Sequence, residues 1–147
     1  MSAFIIDASV AIKWVIAENG TAEALALLGN RLFAPALLQA ECANILWKKV
    51  KRGEISTIEA GLAARLLQSV KIEFRTLEPD LSRILELALA LDHPAYDCVY
   101  LTLAETRRVP LVTADERLIR VTRQARQSSG ALDNISVVPL LSLPTVH

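Results

Sequence analysis

The sequence predicts a single α/β domain, residues 1–147, built on a mainly parallel sheet, and three observations predict it. Short apolar runs of β-like composition alternate with longer runs of helical period along the whole chain, the pattern of strand–helix–strand units. The runs that precede Asp7 and Asp115 are almost continuously apolar, as expected of strands covered by helices on both faces. A chain of 147 residues with 52% hydrophobic content is long enough to bury a substantial core without disulfide support.

Residues 3–6 make the first strand, and residues 9–16 a helix with Ser9 as its cap. A second helix follows over 21–28. Residues 31–34 form a short strand closed by Pro35, after which Leu38, Cys42, Ile45, Leu46 and Lys49 keep helical spacing up to Gly53. Ser56-Thr57-Ile58-Glu59 has the form of a capping box and opens a helix to about Val70. A strand over 72–77 precedes a helix that starts at Pro79-Asp80 and runs through Leu91. Pro94 separates it from a helix over 95–107. A strand over 109–113, a helix over 116–126 and a closing strand over 136–138 complete the alternation. No repeat, linker or low-complexity segment interrupts it.

Four acidic residues stand against this apolar background. Asp7 follows Ile5-Ile6, Glu41 sits within Leu38-Gln39-Ala40-Glu41-Cys42, Asp97 lies in Tyr96-Asp97-Cys98-Val99, and Asp115 follows Val112-Thr113-Ala114. An ionised carboxylate in apolar surroundings takes up a proton or finds a positive partner. In a parallel sheet ligands collect beyond the carboxyl ends of the strands, where Asp7 and Asp115 stand, and Asp97 and Glu41 near helix starts can reach the same crevice. Four converging carboxylates call for a cation. Taken singly, Asp7, Asp97 and Asp115 also suit helix caps or the helix dipole. Glu41 does not, because it lies beyond the first residues of its helix with Leu38 and Ile45 on the same side. Ser9, Thr113 and Asn44 are placed to hydrogen-bond these carboxylates, although capping explains Ser9 and β-propensity explains Thr113 equally well.

The stretches 4–14, 35–44, 93–101 and 110–118, centred on Ile6-Asp7-Ala8-Ser9, Ala40-Glu41-Cys42-Ala43-Asn44, Tyr96-Asp97-Cys98 and Thr113-Ala114-Asp115, closely resemble PIN-domain ribonucleases of the VapC toxin type. The resemblance covers nearly the whole chain, with all four acidic positions filled in order. It implies a three-layer α/β/α sandwich, a Mg²⁺- or Mn²⁺-dependent endoribonuclease, a cognate VapB-type antitoxin and a homodimer. On this chain it makes Asp7, Glu41, Asp97 and Asp115 the metal-site and catalytic carboxylates, with Ser9 and Thr113 as small polar residues lining that site. Such an oxygen-only set suits a hard cation that activates water, holds a phosphodiester and offsets transition-state charge. The resemblance further implies products with 5′-phosphate and 3′-hydroxyl ends.

Composition agrees with an RNA partner once the site is set apart. The formal charge is zero, with 16 basic and 16 acidic residues; without the four site acids the balance is 16 against 12, or +4. Basic residues gather at Lys48, Lys49, Lys51 and Arg52, at Arg107 and Arg108, and at Arg117, Arg120, Arg123 and Arg126, as phosphate contacts or as a solvated face. Trp14, Trp47, Tyr96 and Tyr100 suit either a binding groove or packing. Cys42 and Cys98 read as core thiols of a protein of the reducing cytoplasm, and not as partners of their acidic neighbours, since adjacent helical residues point roughly 100° apart. The chain begins without a basic n-region, and nothing approaches the roughly 20 apolar residues of a membrane span, so no membrane role is expected. The alternative function is a PIN-like RNA-binding or assembly module whose acids serve only as caps. A phosphatase or receiver domain is disfavoured because no lysine follows Lys71 to pair with phosphate.

Overall fold

A computed structural model describes residues 2–76 and 80–145. Five strands form one all-parallel sheet: β1 (Ala3–Ile6), β2 (Arg31–Pro35), β3 (Glu73–Arg75), β4 (Leu111–Thr113) and β5 (Val137–Pro139), in the order β3-β2-β1-β4-β5. The register pairs Ile5 with Phe33 on one side and with Leu111 on the other. Ile5, Ile6, Leu111 and Val112 are fully buried, which accounts for the apolar character of β1 and β4. Helices cover the sheet in two sets: α1 (Ala8–Ala11) and α4 (Thr57–Ser69) both pack on α3 (Leu37–Lys51), while α5 (Leu81–Leu91) packs on α6 (Ala95–Arg107) and on α7 (Glu116–Ser128). The short α2 (Thr21–Ala26) lies beside the 3₁₀ turn Ile12–Trp14. This is the expected three-layer α/β/α arrangement.

The strand order sets the position of the site. From β1 the chain moves outward to β2 and β3, then crosses back to β4 on the other side of β1. The connections therefore diverge between β1 and β4, leaving a crevice beyond their carboxyl ends. Asp7 and Asp115 lie just past those two ends.

Most boundaries follow the sequence, and the departures have local causes. The first helix starts at Ala8 with Asp7 as its cap, because the Asp7 carboxylate accepts from Val10 N. Ser9 is not the cap; its hydroxyl turns to Asp7 and to the backbone of Ala114 instead. That helix ends after Ala11 and tightens into the 3₁₀ turn, well short of residue 16 as a regular α-helix. α2 ends at Ala26, two residues before Leu28. The strand expected over 72–77 is confined to Glu73–Arg75, with Leu77 outside the described residues. β4 starts at Leu111 rather than at Val109, since Arg108 takes a left-handed conformation with φ of 54° to end α6 and Pro110 has no N–H for the ladder. Pro79, expected to open α5, also lies outside the described residues, and Asp80 caps that helix through Arg83 N. Among the described residues no helix is long and apolar enough to cross a membrane.

The capping box is formed as expected: Ser56 Oγ accepts from Glu59 N at 3.0 Å, and Glu59 Oε1 accepts from Ser56 N at 3.1 Å. Both donors are otherwise unpaired at a helix start. Ser56→Ala is expected to lower the unfolding free energy by about 1 kcal/mol in urea titrations. No change in the midpoint would contradict a stabilising role for the cap.

Candidate metal centre

The four carboxylates arrive from four elements. Asp7 and Asp115 cap α1 and α7 at the ends of β1 and β4. Glu41 sits on α3 and Asp97 in the first turn of α6, whose cap residue is Pro94. Capping thus describes Asp7 and Asp115 but neither Glu41 nor Asp97. All four line one pocket of about 190 Å³, together with Ala8, Ser9, Asn44 and Ile45.

Each carboxylate is held by internal donors. Asp7 Oδ1 accepts from Ser9 Oγ at 2.5 Å and from Val10 N at 3.3 Å, and its Oδ2 accepts from Thr113 Oγ1 at 2.5 Å. Thr113 in turn accepts from Asp115 N at 3.1 Å, and Ser9 Oγ from Ala114 N at 2.9 Å. Ser9 and Thr113 therefore tie the end of β1 to the end of β4 through the Asp7 side chain. Asp115 Oδ1 accepts from Leu118 N at 3.1 Å. Tyr100 donates its hydroxyl to Glu41 Oε1 at 2.5 Å, and His93 Nε2 lies 2.5 Å from Asp97 Oδ2.

Burial sets the electrostatics. Desolvation raises the Asp7 carboxyl to about 6; the Ser9 and Thr113 hydroxyls offset part of the rise, and the Asp97 charge adds to it. The half-buried Glu41 is raised for the same leading reason, countered by Tyr100 and reinforced by Asp97. Burial also pushes the Cys42 and Cys98 thiols up to about 12 and 11, and the like-signed charges of Glu41 and Asp97 add to the rise. Both thiols are core groups, and neither lines the pocket.

This donor set fits a divalent cation of the hard type. Every charged group on the pocket is a carboxylate, and Asp7 is penalised by burial in a way that a nearby positive charge would relieve. Among the described residues, no three Asp, Glu, His or Cys side chains already close into a ligand shell. Convergence on one pocket is the more telling observation, because Mg²⁺ keeps several of its waters and takes only one or two carboxylates directly.

The other residues singled out in the sequence separate clearly. Asn44 does line the pocket. Tyr100 is buried against Glu41 rather than lining a groove, whereas Tyr96 is 67% exposed. Trp14 donates to the Ala24 carbonyl and so ties the 3₁₀ turn to α2, while Trp47 is exposed on α3 with the Lys51 ammonium 5.1 Å from its ring. His93 was not anticipated; it lies just before α6 and its cap Pro94, and its ring reaches Asp97 in the first turn of that helix.

The family comparisons agree with this geometry. The PIN domain family model matches residues 4–124. Ribonuclease VapC12 of Mycobacterium tuberculosis is 31% identical over 115 residues, 78% of this chain and 88% of that protein. Ribonuclease VapC1 of the same species is 31% identical over 122 residues, 80% and 90% of the two chains. Exonuclease VapC9 of Pyrobaculum aerophilum is 34% identical over 86 residues, 58% of this chain and 62% of that one. In fold, the crystal structure of PAE2754 from Pyrobaculum aerophilum superposes with a TM-score of 0.68 at 21% identity, covering 96% of this chain and 91% of that one.

The raised Asp7 pKa has a signed consequence for stability. Between the unfolded value near 4 and the folded value of about 6, the folded state holds a proton that the unfolded state has lost, so stability falls as pH rises through that window. Metal-free protein is expected to be less stable at pH 7.5 than at pH 5 by about 1.4 kcal/mol from this group, and Asp7→Asn to remove most of the difference. Chelator-treated melts at the two pH values check it. An equally steep pH dependence in the variant would assign the effect elsewhere. Matched over most of its length by the family model and by full-length relatives, the chain belongs to the PIN-domain family, among its VapC-type ribonucleases.

Proposed function

We propose that this chain is a divalent-cation-dependent endoribonuclease and the toxin member of a toxin–antitoxin pair. The observation that carries the reading is the convergence of Asp7, Glu41, Asp97 and Asp115, drawn from four elements, on one pocket at the switch point of the sheet. A module that kept its acids only as caps would have no use for Glu41 and Asp97, which cap nothing.

Asp7, Glu41, Asp97 and Asp115 would hold Mg²⁺, with Mn²⁺ as an alternative, in oxygen-only surroundings. When bound, the cation would supply Lewis-acid activation of water and offset negative charge on the phosphoryl oxygens in the transition state. The remaining work falls to the chain. Ser9 and Thr113 fix the Asp7 carboxylate against both strand ends, with Thr113 also accepting from the Asp115 backbone. The α7 helix leads away from Asp115 with Arg117, Arg120, Arg123 and Arg126 exposed and in no ion pair among the described residues, which suits them to phosphate contacts beside the pocket. Lys49, by contrast, is engaged by Glu18 and Glu54.

The partner side of the reading rests on the VapC type of the relatives, with a VapB-type antitoxin and a homodimer as the expected assembly and the cytoplasm as the expected location. Because one relative is an exonuclease by name, the mode of attack needs its own test.

Cleavage of a circular RNA pool with Mg²⁺ and with chelator decides both points: an endonuclease linearises circles, and an exonuclease leaves them intact. We expect Mg²⁺-dependent linearisation that Asp97→Asn abolishes while the variant melts no lower than the parent in chelator. Undiminished cleavage by Asp97→Asn would remove the catalytic assignment and favour the binding-module alternative. For the basic face, Arg120→Ala with Arg123→Ala is expected to lower the slope of log affinity against log salt by about 1.4 for single-stranded RNA, at about 0.7 per lost contact. A slope identical to that of the parent would show that this face is merely solvated.

A further inference from the structure

α6 and the residues leading into it do more than deliver Asp97. Asp97 and Tyr100, three apart, lie on one face of α6, and His93 sits just before its cap Pro94, with its side chain reaching Asp97. The His93 side chain is 2% exposed, and the whole Tyr100 residue is 1% exposed. Each has its polar end on a different carboxylate of the pocket: His93 Nε2 on Asp97 Oδ2, and Tyr100 Oη on Glu41 Oε1, a residue 59 positions away on α3.

The chemistry of these two contacts is directional. A carboxylate accepts, so the ring proton of His93 belongs on Nε2. The other ring nitrogen, Nδ1, is buried without a hydrogen-bond partner among the described residues. The ring is therefore held in place by packing and by Asp97. Tyr100 can only reach Glu41 by donating, and its burial pushes the phenol up, well away from ionisation, with the Glu41 bond acting in the same sense. In both pairs one carboxylate oxygen is occupied by a fixed donor, from α6 itself at Tyr100 and from the segment leading into it at His93.

We propose that His93 and Tyr100 are positioning residues of the cation site, each engaging one oxygen of its carboxylate so that the other, Oδ1 of Asp97 and Oε2 of Glu41, is presented to the pocket. The proposal rests on the divalent-cation reading given above. It makes α6 the element that sets two of the four carboxylates at once, one through its own side chain and one across the gap to α3. Partners of this kind, lying behind the groups that touch a metal, typically change its affinity by 10- to 100-fold when removed.

The test is Mn²⁺ affinity by calorimetry on the intact protein, read beside the Mn²⁺ dependence of RNA cleavage, for Tyr100→Phe, His93→Ala, His93→Gln and Asp97→Asn. Tyr100→Phe removes one oxygen and keeps the ring in the core. We expect it to weaken Mn²⁺ binding by about 10-fold or more, to raise the Mn²⁺ needed for half-maximal cleavage in parallel, and to leave KM for RNA unchanged at saturating Mn²⁺. His93→Ala should weaken binding similarly, and His93→Gln should restore most of it, because a glutamine amide N–H can take the place of Nε2–H. A purely structural role would lower the melting temperature without separating the alanine and glutamine variants in Mn²⁺ affinity. Parent-like Mn²⁺ affinity in Tyr100→Phe, with loss of binding in Asp97→Asn, would overturn the inference and leave the cation reading standing. No Mn²⁺ binding by the parent would overturn both. Should His93→Ala fail to fold, Tyr100→Phe alone decides.

Discussion

Four carboxylates held at one crevice is the constraint on which the rest of this structure depends. Like charges brought together in a partly desolvated place oppose folding, and the opposition is visible at Asp7, whose carboxyl is raised to about 6 chiefly by burial. The chain answers it with donors rather than with cations of its own. Hydroxyls from Ser9, Thr113 and Tyr100, a ring nitrogen from His93 and backbone N–H groups of Val10 and Leu118 are spread over the four acids. None of these donors brings a full positive charge in its neutral form, so the pocket remains net negative and attractive to an ion. On the proposed reading, retaining such a conflict is an exchange of stability for activity.

The same arrangement dissolves an apparent choice between structural and chemical roles. At Asp115 one carboxylate oxygen caps a helix by accepting from Leu118 N, a contact that leaves the second oxygen available. At Asp7 the cap contact to Val10 shares Oδ1 with Ser9 while Oδ2 binds Thr113, so this side chain is the most fully committed of the four. Fold and site are thus coupled through single residues. The switch point of the sheet brings β1 and β4 side by side, and Asp7 with Thr113 fastens that junction at the place where the chemistry is proposed to occur.

Much of this was legible in the sequence because its signals are local. The apolar runs before Asp7 and Asp115 identify central strands, the Ser56 to Glu59 pattern identifies a helix start, and Glu41 in mid-helix has no capping role to explain it. What stayed hidden depends on partners distant along the chain. Ser9 looked like a cap because its neighbours alone were visible, yet its hydroxyl bonds to Asp7 and to Ala114, 105 residues away. Tyr100 read as an ordinary aromatic until α3 brought Glu41 to its hydroxyl, and His93 drew no notice although its spacing to Asp97 was in plain view. Strand lengths were overestimated at β3 and β4, where propensity extends a run that the pairing of the sheet cuts short.

The central claim, that these four acids form one cation site, is tested most directly by anomalous diffraction from crystals soaked in Mn²⁺. The account predicts an anomalous peak in the pocket bounded by Asp7, Glu41, Asp97 and Asp115, lost in crystals of Asp7→Asn. A strong Mn²⁺ peak elsewhere on the molecule, with none in this pocket, would contradict it.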